Sequence, residues 1–139
     1  MSAGNTTEND LMLFIFNATA LSGSWPAGGG NFYVALHTAD PGEAGSPTTS
    51  EATYGGYARV AVTRNSAGWT VSGNQASNTA VVTFPQCTSG SNTITYASLV
   101  SSASGAGQLF ISGALTTPLN ISTNITPSAA IGQIVFTLD

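Results

Sequence analysis

Lysine is absent from this chain, and its only cations are Arg59 and Arg64. Charged residues make up 6% of the 139 positions, against about 25% in an average soluble domain. Six carboxylates leave a formal net charge of −4. Nucleic-acid affinity is built mainly from Lys and Arg contacts to phosphate, so this composition argues against a nucleic-acid binder. The same deficit argues against docking on an anionic membrane. One cysteine, Cys87, allows no intrachain disulfide and supplies no zinc cage. Beside Phe84 and Pro85 it reads as a small buried hydrophobe. The apolar run near the N-terminus, residues 11–16, falls far short of the ~20 residues of a spanning helix. Glu8, Asn9 and Asp10 precede that run where a secretory signal has positive charge, so neither export nor membrane insertion is expected. The Asn-x-Ser/Thr sequons at Asn5, Asn17, Asn120 and Asn124 are put down to chance in a chain this rich in Asn and Thr.

What is present is a foldable, weakly charged chain. Hydrophobic residues reach 42%, and with so little charge this is not the composition of a disordered protein. Ser, Thr, Asn and Gly must solvate the surface. Copies with so few like charges repel one another weakly, which suits a protein packed against other subunits. The length fits a single domain, 1–139.

Residues 5–21 read as an N-terminal helix. Asn5 or Thr7 is available as N-cap, Glu8 and Asp10 sit in the first turn, and Leu11, Ile15 and Ala18 recur at helical spacing. The helix is expected to cover one edge or one open end of the fold. Residues 22–30, with three consecutive glycines, read as a loop. From 31 onward, short β-branched and aromatic segments alternate with Gly, Pro, Ser and Asn clusters. Strands are expected at 31–38, 57–63, 69–71, 79–84, 92–100, 108–115, 119–125 and 132–139. Phe32, Val34 and Leu36 share one face of the first, and Ile134, Phe136 and Leu138 one face of the last; in 92–100 the alternation of Ile94 and Tyr96 breaks at Ala97. With no helical segments between strands, the fold class is mainly β: an antiparallel β-sandwich or barrel of about eight strands over 31–139.

Candidate chemistry is sparse. His37, Asp40, Glu43 and Glu51 form the one ionisable cluster, and three of the six acids lie in the long 39–56 loop, read as functional or as an interaction arm. A His followed by carboxylates suggests an ion or a general base, but the spacing matches no metal pattern. Asp40-Pro41-Gly42 has a local explanation as a turn. No Gly-x-Ser-x-Gly elbow is present. Structural roles are therefore expected for this cluster, and no cofactor. Arg59 is expected to pair with Glu51 or Asp40 and pin the loop to the sheet, with exchange of Glu51 and Arg59 restoring part of what Arg59→Ala loses. Trp25, Trp69 and Tyr54 are aromatics able to stack on sugar rings, weighed against core or interface roles, which are preferred.

The stretch FYVALHTADPGEAGSPTTSEATYGGYARVAV, residues 32–62, resembles a family of short tailed-bacteriophage virion proteins described as tail-fibre-like. The resemblance continues through Val82-Thr83-Phe84-Pro85, the Gly-rich tip before Gln108-Leu109-Phe110, Gly113-Ala114-Leu115-Thr116 with Pro118, and Phe136-Thr137-Leu138-Asp139. It implies a non-enzymatic virion structural protein, assembled in the host cytoplasm and located in the virion. A capsid decoration (cement) protein clamping the major capsid protein suits the size best, since neither heptads nor repeats are present to build a long shaft. The alternative is a tail-associated or tail-fibre-like subunit that binds a receptor or glycan. Strand edges without Lys gatekeepers and the apolar N-terminal segment lead to an expected homo-oligomer, taken as a trimer.

Overall fold

The alternation in β2 (Asn31–His37) sets the layering. Phe32, Val34 and Leu36 enter the main hydrophobic core, while Tyr33 and Ala35 pack on the opposite face with Val100 and Leu109. A strand buried on both faces belongs in the middle of a sheet. The computed structural model, which describes residues 2–21, 25, 26 and 30–138, places it there. The further strands are β1 (Ser2–Ala3), β3 (Val60–Thr63), β4 (Trp69–Ser72), β5 (Gln75–Asn78), β6 (Val82–Thr83), β7 (Ser91–Val100), β8 (Leu109–Ser122), β9 (Ser128–Ala129) and β10 (Val135–Thr137), with one helix, α1 (Asn5–Asn17).

Five strands form the larger sheet in the order β1-β8-β7-β2-β3, with Val34 opposite Leu99 on one side and Val60 on the other. The facing layer consists of a three-stranded sheet, β10-β5-β4, and the pair β6-β9. All these pairings are antiparallel. Between the layers lie Val34, Leu36, Ile94, Leu99 and Ile121 from the large sheet and Trp69, Val82, Ile134 and Phe136 from the opposite side, so the chain is a mainly β, antiparallel sandwich. Cys87 is fully buried in the same core, its thiol donating to the Ser89 carbonyl at 3.3 Å.

The loop 22–30 falls mostly outside the described residues, as do the side chain of Ser2 and the terminal Asp139. Several elements differ from their expected bounds. The helix stops at Asn17 rather than 21 because Ala18 adopts a left-handed conformation (φ 51°) and its N–H turns back to the Leu13 carbonyl. Gly4, not Asn5 or Thr7, is the N-cap; its N–H donates to Phe110 O, and a Cβ there would stand 2.3 Å from Leu109 O, so only glycine allows the chain to approach β8 this closely. Residues 57–63 become a strand only from Val60. The segment 79–84 shrinks to Val82–Thr83.

Segments 108–115 and 119–125 are one strand, β8, interrupted in its pairing rather than in its course. Ile94 pairs with Leu119 and Tyr96 with Ala114, so the residues between them on β8 face only Thr95 and form a bulge. Pro118 lies in that bulge, where the missing N–H breaks no ladder bond. The same shift causes the break in alternation at Ala97. Strand β5 has no apolar signal; it forms because the two-residue turn Gly73-Asn74, with Gly73 at φ 61°, folds it back on β4. Asn78 anchors its end: buried, it donates to Ala80 O and Ala130 O and accepts from Ile134 N, tying β5 to the approach of β10.

The apolar stripe expected of α1 does not face the sandwich. The helix is held at its first two turns by polar contacts: Thr7 Oγ1 donates to Leu109 O, and Gln108 Nε2 donates to Thr7 Oγ1 at 3.0 Å. Of its residues only Thr7 is buried, and Ile15 and Ala18 are exposed. In the second half of α1, Leu13 is half-buried while Met12, Phe14, Ile15 and Phe16 stand exposed.

Candidate functional site

The outer face of β2 and β7 carries a polar network that holds the 39–56 loop. His37 ends β2 and is fully buried. Its Nδ1 lies 2.8 Å from Thr49 O and its Nε2 lies 2.7 Å from Ser98 Oγ. A carbonyl only accepts, so Nδ1 carries the proton and Ser98 donates to Nε2. This Ser–His contact has the hydrogen-bond pattern of a nucleophile and its base, but Ser98 and His37 are both 0% exposed and no substrate reaches them.

Glu51 returns beside His37 through a β-bridge, and Ala52 N–H donates to Leu36 O. The Glu51 carboxylate receives Arg59 through two parallel bonds, Nε to Oε1 at 2.6 Å and Nη2 to Oε2 at 2.8 Å. Tyr57 O–H donates to Oε1 at 3.1 Å while its oxygen accepts Leu36 N–H at 3.0 Å. Arg59 also donates from Nη1 to Ser102 O and Oγ and from Nη2 to Gly105 O. Every guanidinium N–H therefore has an acceptor, in an ion pair whose side chains are 1% and 16% exposed. One side chain thus fastens both the 39–56 loop and the 101–107 hairpin tip to the sheet.

Burial holds the His37 pKa below its ordinary value of 6.5, outweighing the Thr49 hydrogen bond and the nearby Glu51 carboxylate, which raise it. Burial likewise drives the Tyr57 phenol pKa well up, and the Glu51 charge adds to this.

Asp40 and Glu43 do not converge on His37. Asp40 Oδ1 accepts Gly42 N–H at 2.9 Å, within an exposed turn that Gly42 completes at φ 73°. Glu43 is exposed, and its carbonyl accepts Asn5 N–H, linking the loop to the start of α1. Among the described residues no group of three His, Cys, Asp or Glu is placed to hold a metal ion.

The aromatic candidates are engaged within the fold. Trp25 is half-buried, tilted against Phe110 with ring centroids 4.7 Å apart and under the Arg64 guanidinium, with Nε1 donating to Asp10 Oδ2 at 2.8 Å. Tyr54 is buried and donates to Pro85 O. Trp69 is a core residue of β4, 5.9 Å from Phe136, and its Nε1 is buried without a partner.

Two apolar features lie outside the polar and aromatic candidates. The first is a cleft of about 740 Å³ opening between the two layers, floored by Phe32, Trp69, Leu99, Ile111 and Phe136. The other is the second half of α1, where Met12, Phe14, Ile15 and Phe16 are 54–72% exposed. The exposed residues were visible in sequence as the aromatic run of the helix; the cleft joins positions from both layers and has no local signature. Among the described residues no helix is long and apolar enough to cross a membrane.

The candidate polar residues are engaged within an antiparallel sandwich, and the chain belongs to a family of tailed-phage virion proteins. That family is the podophage GP4 fiber I protein gp80 family, whose model matches residues 2–137. Among curated proteins, none matches the chain.

Removing Arg59 leaves Glu51 with the Tyr57 hydroxyl in place of its cation and takes the Arg59 donor from the Ser102 and Gly105 carbonyls. Arg59→Ala is expected to lower folding stability by roughly 3 kcal/mol in urea denaturation. Exchange of the pair, Glu51→Arg with Arg59→Glu, will not recover it, because a carboxylate at 59 would face the Ser102 and Gly105 carbonyls. This departs from the partial rescue that charge alone suggests; rescue to within about 1 kcal/mol of wild type would show that only the charge matters.

His37 gives a pH test. Its folded pKa is depressed, so the unfolded chain binds the proton more readily, and the contribution of neutral His37 is complete above pH 6.5 and declines as pH falls below it. Urea midpoints should fall from pH 7 toward pH 5 in wild type and fall less in His37→Gln; equal slopes would show that His37 does not govern the response.

Proposed function

We propose that the chain is a non-enzymatic structural subunit of a tailed-phage virion, placed with the tail or fibre apparatus and working as a homo-oligomer attached to other virion proteins. The observation that carries this reading is the family match over residues 2–137, to a family described as a fiber protein. The tail placement is preferred to the capsid-decoration role on that description alone. Lacking heptads and repeats, the chain suits a compact subunit of such an apparatus rather than a shaft.

The site residues support a scaffolding role. His37, Glu51 and Arg59 hold the 39–56 loop as a fixed outer layer, Asp40 shapes its turn, and Glu43 joins it to α1. The buried Ser98–His37 contact gives no open reaction centre. Trp25 and Trp69 serve packing, and a glycan-binding role is not favoured by their engagement with Phe110 and Phe136. The acidic, Lys-free surface supports protein partners over nucleic acid or membrane. Exposed apolar residues on α1 favour self-association, with three copies as the expected order.

Quantitative mass spectrometry of purified virions, with density maps of particles made with and without the protein, tests the assignment. The expected result is a small copy number with density at the tail. Hundreds of copies covering the shell would overturn the tail placement in favour of decoration, and absence from the particle would overturn the virion assignment.

A further inference from the structure

The second half of α1 and the open cleft are complementary in three respects. First, both are apolar and unfilled. Phe16 and Ile15 are 72% and 65% exposed, and at the mouth of the cleft Val71 and Leu138 are 72% and 50% exposed. A small soluble domain rarely leaves two such patches uncovered. Second, the exposed helix residues form a stripe. Glu8, Met12, Ile15 and Phe16 recur at i, i+4, i+7 and i+8, the spacing of a single helix face, and all four are exposed. Third, the charges match. The stripe begins at an acid, Glu8, and the cleft has one cation along its lining, Arg64. Arg64 donates to Pro26 O and lies over the Trp25 and Phe32 rings, while the only other cation in the sequence, Arg59, is committed to the carboxylate of Glu51.

We propose that the second half of α1 of one copy seats in the cleft of a neighbouring copy. Met12, Ile15 and Phe16 lie on the Phe32, Ile111 and Phe136 floor, and Glu8 meets Arg64 at the rim. Helix and cleft are different surfaces of the same chain, so the contact is head-to-tail and closes into a ring when the rotation between copies permits, three being the expected order. The proposal rests on the reading of the chain as a self-assembling virion subunit, and it adds which surfaces make the assembly. The cleft is also of a size that takes a small ligand, about 300–1,000 Å³; the exposed helix stripe on the same molecule, with its matching charge, favours a second copy as the occupant.

The test uses the purified full chain, with mass in solution measured by light scattering and sedimentation at tens of micromolar. Phe16→Asp spoils the helix stripe and Val71→Asp spoils the cleft mouth; both positions are largely exposed, so circular dichroism and melting should match wild type. Leu138→Asp replaces the cleft variant if Val71→Asp fails to fold. Wild type is expected to be an oligomer, and each variant a monomer or associated at least roughly tenfold more weakly. Mixing the variants should restore a one-to-one complex, since the Val71→Asp chain keeps an intact helix and the Phe16→Asp chain an intact cleft. A wild-type monomer overturns the contact. So do a cleft variant that still assembles, which would assign the cleft to a small ligand or another protein, and two monomeric variants that fail to complement. None of these results bears on the virion assignment, which the composition of the particle decides.

Discussion

The outer layer of this sandwich depends on one guanidinium. Arg59 directs all of its N–H groups to acceptors inside the protein, and those acceptors come from two separate stretches: Glu51 in the long loop, and Ser102 and Gly105 in the hairpin tip that joins β7 to β8. The loop also has apolar anchors, since Ala52 and Tyr54 join the main core and Pro47 is fully buried, and Arg59 fixes the course of the chain beside them at Glu51. Replacing a buried ion pair by apolar residues often stabilises a protein, so this pair is better understood as specifying one arrangement of the loop than as a large net source of stability. The eighteen-residue connection 39–56 is held at its other points by neutral hydrogen bonds, from His37 to Thr49 O and from the Thr53 and Tyr54 amides to Asn92 Oδ1.

His37 and Tyr57 extend the same logic. Each sits where a polar group is required to satisfy a backbone partner, Thr49 O for the imidazole and Leu36 N–H for the phenol. Each is held by burial in its neutral form. A Ser, a His and a Glu lie together here without an open reaction centre, and what they do is hold backbone. The large apolar side chains left exposed include those of the second half of α1 and of the mouth of the cleft.

Much of this was legible in the sequence where local chemistry decides the outcome. The alternation of Phe32, Val34 and Leu36 marked the core face of β2, and Asp40-Pro41-Gly42 its own turn. Arg59 had Glu51 as a nearby acid, and the structure pairs them. What was not legible depends on distant partners. Strand β5 is polar and exists because Gly73-Asn74 returns it to β4. Pro118 looked like a break between two strands because nothing local shows that it faces a bulge. The helix read as a cover for one edge or open end, with an apolar segment left over for another chain; its tether through Thr7, which leaves Met12, Phe14, Ile15 and Phe16 exposed, has no local signal. Ser98 and Asn92 have no sequence signature as partners of His37 and of the Thr53 and Tyr54 amides; contact across the sheet creates those roles.

The central claim is that the 39–56 segment is a fixed layer of the fold rather than a mobile arm. Native-state hydrogen exchange on the wild-type protein tests it most directly. The Thr38, Ala52, Tyr54 and Gly55 amides each donate within the fold, to Ser50 O, Leu36 O, Asn92 Oδ1 and Ser89 O. They are predicted to exchange as slowly as the amides of β2 and β7 and to open together with them. Exchange at the rate of an unstructured loop, while β2 and β7 stay protected, would contradict the claim.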